Sequence, residues 1–233
     1  MLQKKKKIKL NQKELKQDEL LNFVEKTTVW YYANQKKVLI VAAIIIILSG
    51  GMYWYTYSSR TKNETASAEL GKIYSLYDNQ QYQQAIDGNP AAKIPVPGLK
   101  TIADSYSGTN AGEIARLLLA NSYYALGKIN EAMHEYDNCS LADPRLKAAV
   151  LAGIASCYEG EKKYADAAAQ YQKAASFGES VPATPEYMFN AARCFGLSGQ
   201  SETAIELLNR LKSEFPLSQY ARDIDRYLVE FAG

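Results

Sequence analysis

The sequence predicts an all-α protein: a single N-terminal transmembrane helix followed by an α-solenoid of helical hairpins. Three observations predict it. Residues 38–57 carry no charge, the chain changes net sign across that stretch, and one spacing of alanines and aromatics recurs three times beyond it.

The 233 residues carry 27 Lys and Arg against 25 Asp and Glu, a formal net charge of +2. A composition 47% hydrophobic and 22% charged excludes a disordered tail or a collagen-like repeat. The near balance argues against a dedicated nucleic-acid binder, which carries a strong basic excess. The sum hides a split. Residues 1–37 hold ten Lys against four acids (Glu14, Asp18, Glu19 and Glu25), a net of +6, and residues 38–233 hold 17 basic and 21 acidic residues, a net of −4.

The sign changes at VLIVAAIIIIL, Val38 to Leu48, an uncharged run that continues to Tyr57. As a helix, 38–57 measures about 30 Å, the thickness of the hydrocarbon layer. Trp30, Tyr31 and Tyr32 precede it and Tyr53, Trp54, Tyr55 and Tyr57 close it, placing amphipathic rings at both lipid–water boundaries. A cleaved signal peptide fits less well, because 37 residues are long for an n-region and bulky aromatics follow Ser49-Gly50-Gly51. A buried core helix is poor company for a Lys pair at one end and an aromatic cluster at the other. The lysine excess before the span places residues 1–37 in the cytoplasm and 58–233 outside it. In a bacterium this describes a single-pass inner-membrane protein with a periplasmic domain.

Within the cytoplasmic arm, residues 1–13 form a Lys-rich run, read as a solvated tail or a contact for anionic headgroups or ribosomal RNA. Residues 14–32 place Leu20, Leu21, Phe23, Val24, Thr28 and Tyr31 at helical spacings, giving a short amphipathic helix that lies on the membrane or docks on a membrane partner. Beyond the span, the polar segment SSRTKNETAS (58–67) reads as a linker to a domain at 68–233.

That domain repeats one grammar. An aromatic (Tyr123, Tyr158, Phe195) stands three residues after an Ala (Ala120, Ala155, Ala192). A second Ala (Ala132, Ala167, Ala204) follows nine residues later, and Tyr136, Tyr171 or Leu208 four after that. Pro144 and Pro216 close two copies, and Gly127 and Gly199 mark two inter-helix turns. The pattern resembles the tetratricopeptide repeat, a helix–turn–helix of about 34 residues in which small residues allow close helix approach and aromatics fill the gaps between units. A degenerate unit precedes these copies at 68–88, with Tyr82 and Ala85 in register and its second helix broken by Pro90, Pro95 and Pro97. A short helix then carries Leu99, Ile102, Ala103 and Tyr106. At the C-terminus, Tyr220, Ile224, Leu228 and Phe231 share the apolar face of a capping helix.

ELLNFVEKTTVWYYANQKKVLIVAA (19–43), GLKTIADSYSGTNAGEIARLLLANSYYALGKINEA (98–132) and RDIDRYL (222–228) together resemble the Sec-translocon ancillary subunits (YfgM-like), membrane-anchored tetratricopeptide repeat proteins. The resemblance implies a place beside SecYEG, with a PpiD-like membrane-anchored chaperone. It also implies binding of unfolded secretory polypeptides or recruitment of chaperones. The long Lys-rich N-terminus and the Pro-rich insertion depart from the family pattern. A competing reading is a scaffold for another envelope complex, in outer-membrane assembly or division.

Repeat geometry puts the first helix of each unit on a concave groove. The groove positions are Leu117, Asn121 and Tyr124; Ala152, Ser156 and Glu159; and Phe189 and Arg193. Leu117, Ala152 and Phe189 stand where carboxylate-clamping repeats place Lys, so an acidic C-terminus is not the expected ligand. An aromatic–amide groove suits extended or helical unfolded segments. Tyr124 and Phe189 are equally accounted for by packing between units.

No enzymatic chemistry is expected. Cys139, Cys157 and Cys194 form no CxxC, and repeat spacing separates Cys157 from Cys194 by about 10 Å, beyond disulfide reach. Buried free thiols are expected, with a pairing of Cys139 left open. His134 is the one histidine and has no accompanying nucleophile or metal partner, so no catalytic residue, metal or cofactor is expected.

Overall fold

The computed structural model describes residues 12–89, 91, 95–178 and 181–232, with side chains from residue 21 onward. The side chains of the lysine run at 1–13, and those of the first part of the amphipathic stretch, lie outside them. Helix α1 runs Gln12–Asp78, and the chain divides into two compact units at 1–58 and 59–233.

The first unit is helical throughout its described residues and contains a stretch long and apolar enough to cross a membrane. Its Ile and Leu side chains meet no protein: Ile47 is 71% exposed and Leu48 67%. The two aliphatic hydroxyls in the apolar stretch bond back to their own helix. Ser49 Oγ donates to Ile46 O (3.0 Å) and Thr56 Oγ1 to Tyr53 O (2.9 Å). Helix formation satisfies the backbone and back-bonding satisfies these two side chains, as a hydrocarbon environment requires.

The second unit begins with the remainder of α1. Residues 58–67, expected as a linker, are helical, and from Ser59 they belong to the repeat unit. Their polarity is that of a helix face in solvent. The inward side is short but specific: Ala66 is fully buried, and Asn63 Oδ1 accepts from Ala111 N at 2.9 Å, satisfying an orphan donor in the first turn of α4.

Next come α2 (Tyr82–Asp87), a two-residue antiparallel pairing of β1 (Gly88–Asn89) with β2 (Val96–Pro97), and α3 (Leu99–Ser105). These elements share the place of the first unit's second helix, which the prolines split as expected. The insert leaves and rejoins through a narrow neck. A Cβ on Gly88 would lie 2.3 Å from Val96 O, and one on Gly98 would lie 2.1 Å from Ile86 O.

Three regular helix pairs follow: α4 (Asn110–Ala125) with α5 (Ile129–Asp137), α6 (Pro144–Gly160) with α7 (Tyr164–Ala175), and α8 (Thr184–Leu197) with α9 (Ser201–Glu214). Helix α4 starts at an N-cap, Thr109, whose hydroxyl accepts from Gly112 N. Helix α6 starts at Asp143, whose carboxylate accepts from Arg145 N and Leu146 N, with Pro144 pre-set for the first turn. The six repeat alanines, 120, 132, 155, 167, 192 and 204, are all fully buried where helices touch.

Each first helix ends in the same two bonds, of which the inner one runs from Gln80 N to Tyr77 O, Gly127 N to Tyr124 O, Lys162 N to Glu159 O and Gly199 N to Gly196 O. Lys128 N donates to Tyr123 O, Lys163 N to Tyr158 O and Gln200 N to Phe195 O, all at 2.9 Å; in the degenerate first repeat Gln81 N donates to Leu76 O at 2.8 Å. The intervening residue is left-handed every time: Gln80 (φ 59°), Gly127 (73°), Lys162 (60°) and Gly199 (81°). This is the Schellman closure of a helix, which turns the chain tightly enough for the second helix to pack back on the first. A 3-10 turn, Gln219–Arg222, leads into α10 (Ile224–Ala232), which packs on α9 through the fully buried Ile224. Tyr220 therefore belongs to the turn rather than to the capping helix's face, and Tyr227 joins the contact instead.

Candidate functional site

The row of first-helix positions is held by hydrogen bonds from neighbouring elements. In each of the two middle units the second-helix tyrosine, four residues after the buried alanine, sends its hydroxyl to the row. Tyr136 Oη donates to Asn121 Oδ1 at 2.6 Å, and Tyr171 Oη lies 2.9 Å from Ser156 Oγ. Asn121 Nδ2 donates in turn to Tyr77 Oη of the preceding unit at 3.2 Å. In the last unit Leu208 has no hydroxyl to offer. Arg193 there reaches back across the repeat boundary, its Nη2 donating to Glu159 Oε2 at 2.8 Å, with Tyr171 Oη 3.5 Å from the same oxygen. The result is a bonded ladder from Tyr77 through Asn121 to Tyr136, and from Ser156 through Tyr171 and Glu159 to Arg193. Burial pushes the phenols of Tyr136 and Tyr171 well above the ordinary tyrosine range, so both hydroxyls stay protonated and able to donate.

Of the expected groove residues, Asn121, Ser156, Glu159 and Arg193 thus have partners inside the protein. Leu117 is 6% exposed and packs in the core between the second and third units. Phe189 sits between Tyr220 (ring centroids 5.3 Å) and Tyr227 (5.2 Å, rings nearly perpendicular). Phe231 then covers Gly196, where a Cβ would come within 2.2 Å of its ring. The C-terminal helix therefore occupies the last unit's inner face. Tyr124, 38% exposed, is the expected groove residue that presents its ring most openly.

Three tyrosines absent from the sequence-based row extend it at the other end. Tyr74 is 50% exposed, Tyr77 lies 6.1 Å from it, and Tyr82 meets Tyr77 edge-on at 5.8 Å. Tyr77 ends its helix where Tyr124 ends α4, but the hairpin insert stretches the separation beyond the repeat period. The signal that would have found it is the shared turn, Asn79-Gln80-Gln81 against Leu126-Gly127-Lys128.

Other polar groups tie units together. Glu113, 4% exposed, accepts from Gly108 N (3.0 Å) and Ser140 N (2.7 Å), fastening the loops on either side of α4 and α5. Arg116 bonds Glu135 at 2.7 Å and the carbonyl of Ala103 at 3.0 Å. Cys157 and Cys194 are buried free thiols, pushed up by burial to about 11 and about 12, and Cys139 is partly buried and free. His134 is exposed, with Asn138 as its neighbour. Among the described residues, no group of three or more His, Cys, Asp or Glu gathers as metal ligands.

Stacked helix pairs with alanine contacts, identical turns and a row of first-helix side chains along one face define a repeat protein built for protein–protein interaction. The family model for the tetratricopeptide repeat-like domain matches residues 28–181, and that for the tetratricopeptide repeat matches 186–218. The chain belongs to the tetratricopeptide repeat-like family. Two solved structures of a Podosopora anserina putative kinesin light chain with nearly identical TPR-like repeats, one carrying a point substitution, are similar in fold. Each has a TM-score of 0.53 at 16% identity, covering 74% of this chain and 84% of that one. That likeness concerns the fold alone. No curated protein matches the sequence.

Proposed function

We propose that this is a non-enzymatic, membrane-anchored tetratricopeptide repeat protein of the bacterial inner membrane, N-terminus cytoplasmic and repeat unit periplasmic. In this reading it associates with the Sec translocon and assists newly exported chains, or recruits chaperones to them, through its repeat unit. The observation that carries the reading is the pairing of an exposed, self-satisfied apolar helix with a repeat scaffold in one chain. The family match begins at residue 28, ahead of the apolar stretch, which supports a retained anchor over a removed leader. The lysine excess before residue 38 supports the orientation. SecYEG and a PpiD-like chaperone enter as partners from the resemblance of 19–43, 98–132 and 222–228 to the translocon ancillary subunits. Tyr124, with Tyr74 and Tyr77, is the part of the row with ring surface for an unfolded segment.

A second reading has an observation in its favour. Asn121, Ser156, Glu159 and Arg193 are bonded within the protein, as expected of a scaffold whose inner face is structural and whose partners dock elsewhere. Detergent co-purification of the tagged chain at near-native expression separates the two. Recovery of SecY supports the translocon reading, and recovery of another envelope complex without SecY overturns it. Photocrosslinking from position 124 to exported chains supports a peptide-binding face; crosslinks confined to positions within the protein support the scaffold. Protease added to spheroplasts degrades the repeat unit if the orientation is as proposed.

A further inference from the structure

In the first unit, the residues just before the apolar stretch form a cationic strip. Lys26, Val29, Trp30, Ala33, Lys36 and Lys37 follow one another at i, i+3, i+4, i+7, i+10 and i+11, one side of a helix of about 3.6 residues per turn. Beside the strip is an open hollow of about 440 Å³, floored by Val29, Trp30 and Ala33 and rimmed by Lys26 together with Asn22, Glu25 and Asn34. The small Ala33 side chain leaves this space beside Trp30, whose ring is 60% exposed. Lys26, Lys36 and Lys37 form no ion pair among the described residues, and Glu25 is the one acid in residues 21–37. Three neutral polar side chains nearby bond back to the helix: Thr27 Oγ1 donates to Phe23 O, Thr28 Oγ1 to Val24 O and Asn34 Nδ2 to Trp30 O. Directly before the segment read as membrane-spanning, this side of the helix therefore carries three ammonium groups with no ion pair among the described residues, of which Lys26 borders the hollow and Lys36 and Lys37 lie beyond it.

We propose that this strip binds the headgroups of anionic lipids, with the upper acyl chain of a bound lipid in the hollow beside Trp30. The proposal rests on the membrane-anchor reading above. Lys36 and Lys37 immediately precede Val38 and so stand at the edge of the hydrocarbon, where ammonium groups meet phosphate. Lys26 stands eleven residues before Lys37, about 16 Å further out along the same helix, where it feels the field of the anionic leaflet. A polar, neutral surface attracts no lipid selectively; three unpaired lysines beside an anionic leaflet do, each adding to the attraction until salt screens it. An apolar floor beneath cations suits a lipid, which is charged at one end and apolar at the other, better than a free anion.

The test uses the full chain and its two tryptophans. A W54F variant leaves Trp30 as reporter and a W30F variant leaves Trp54. Each is reconstituted in vesicles of two parts phosphatidylcholine to one part phosphatidylglycerol, with bromine near the top of the acyl chains of one lipid or the other. Brominated phosphatidylglycerol is expected to quench Trp30 about twofold or more beyond its share of the lipid. The excess should vanish in W54F carrying K26Q, K36Q and K37Q, and persist when the three lysines are arginines. Equal quenching by the two lipids, or an excess that survives the glutamine substitutions, overturns the proposal. Quenching of Trp54 by neither lipid overturns the membrane-anchor reading itself, and the lipid site with it.

Discussion

Lys162 holds the left-handed position that Gly127 and Gly199 hold in the flanking repeats. Substituting Lys162→Gly should therefore stabilise the repeat unit. An L-residue in this conformation costs about 1–2 kcal/mol, which glycine does not pay. Glycine returns about 0.4–1 kcal/mol through its greater freedom in the unfolded chain. The side chain of Lys162 is exposed and takes part in no hydrogen bond or ion pair among the described residues, so the backbone angle dominates the change. The balance is about 0.5–1 kcal/mol in favour of the variant, or a midpoint raised by ~1–4 °C in a domain of this size. The reverse substitutions, Gly127→Lys and Gly199→Lys, isolate the same quantity with opposite sign. A Cβ at either glycine meets nothing within 4 Å, so the backbone angle alone is tested. Scanning calorimetry of the full chain in detergent reads the midpoints. A K162G midpoint at or below that of the unaltered chain, with G127K unchanged, would refute the reasoning.

Three further outcomes follow from the same packing. Gly196→Leu should displace Phe231 and cost about 1–3 kcal/mol by overpacking, with hydrogen exchange rising across 224–232 before it rises in α8. Tyr136→Phe should cost about 1–2 kcal/mol in chemical denaturation, because it strips Asn121 Oδ1 of its donor; adding Asn121→Leu should recover part of the loss by removing the unpaired acceptor. Burial raises the thiols of Cys157 and Cys194 from 9.0 to about 11 and about 12, so the folded state keeps their protons longer than the unfolded state. Their contribution to stability is complete below about pH 9 and falls as pH rises toward 11–12; a stability profile over that window should flatten in the double Cys→Ala variant.

The repeat was legible because alanine contacts recur at fixed intervals and because nothing else in the chain demands Ala three residues before an aromatic. The row on the inner face was legible as positions but not as bonds. The partner of Asn121 stands on the next helix and the partner of Glu159 in the next unit, and neither relation leaves a local mark. Phe189 was expected on the row, and its covering by Tyr220 and Tyr227, which depends on how α10 returns, left no mark in the sequence. Residues 58–67 misled because an exposed helix face and a linker have the same composition; the distinguishing residues, Asn63 and Ala66, are two among ten. Lys162 was invisible as a turn residue because a rule that looks for glycine passes over a lysine forced into glycine's conformation.

The neck formed by Gly88 and Gly98, with the pairing of β1 and β2, is a closed joint between α2 and α3. Strand pairing and backbone contact fasten its two ends before the solenoid's stacking resumes at Leu99. Length added beyond the joint costs only the slow logarithmic entropy of a longer loop and does not shift the helices on either side. The joint is accordingly a port, where an epitope or a fluorophore added between β1 and β2 can be carried on the repeat unit with the flanking helices held in place.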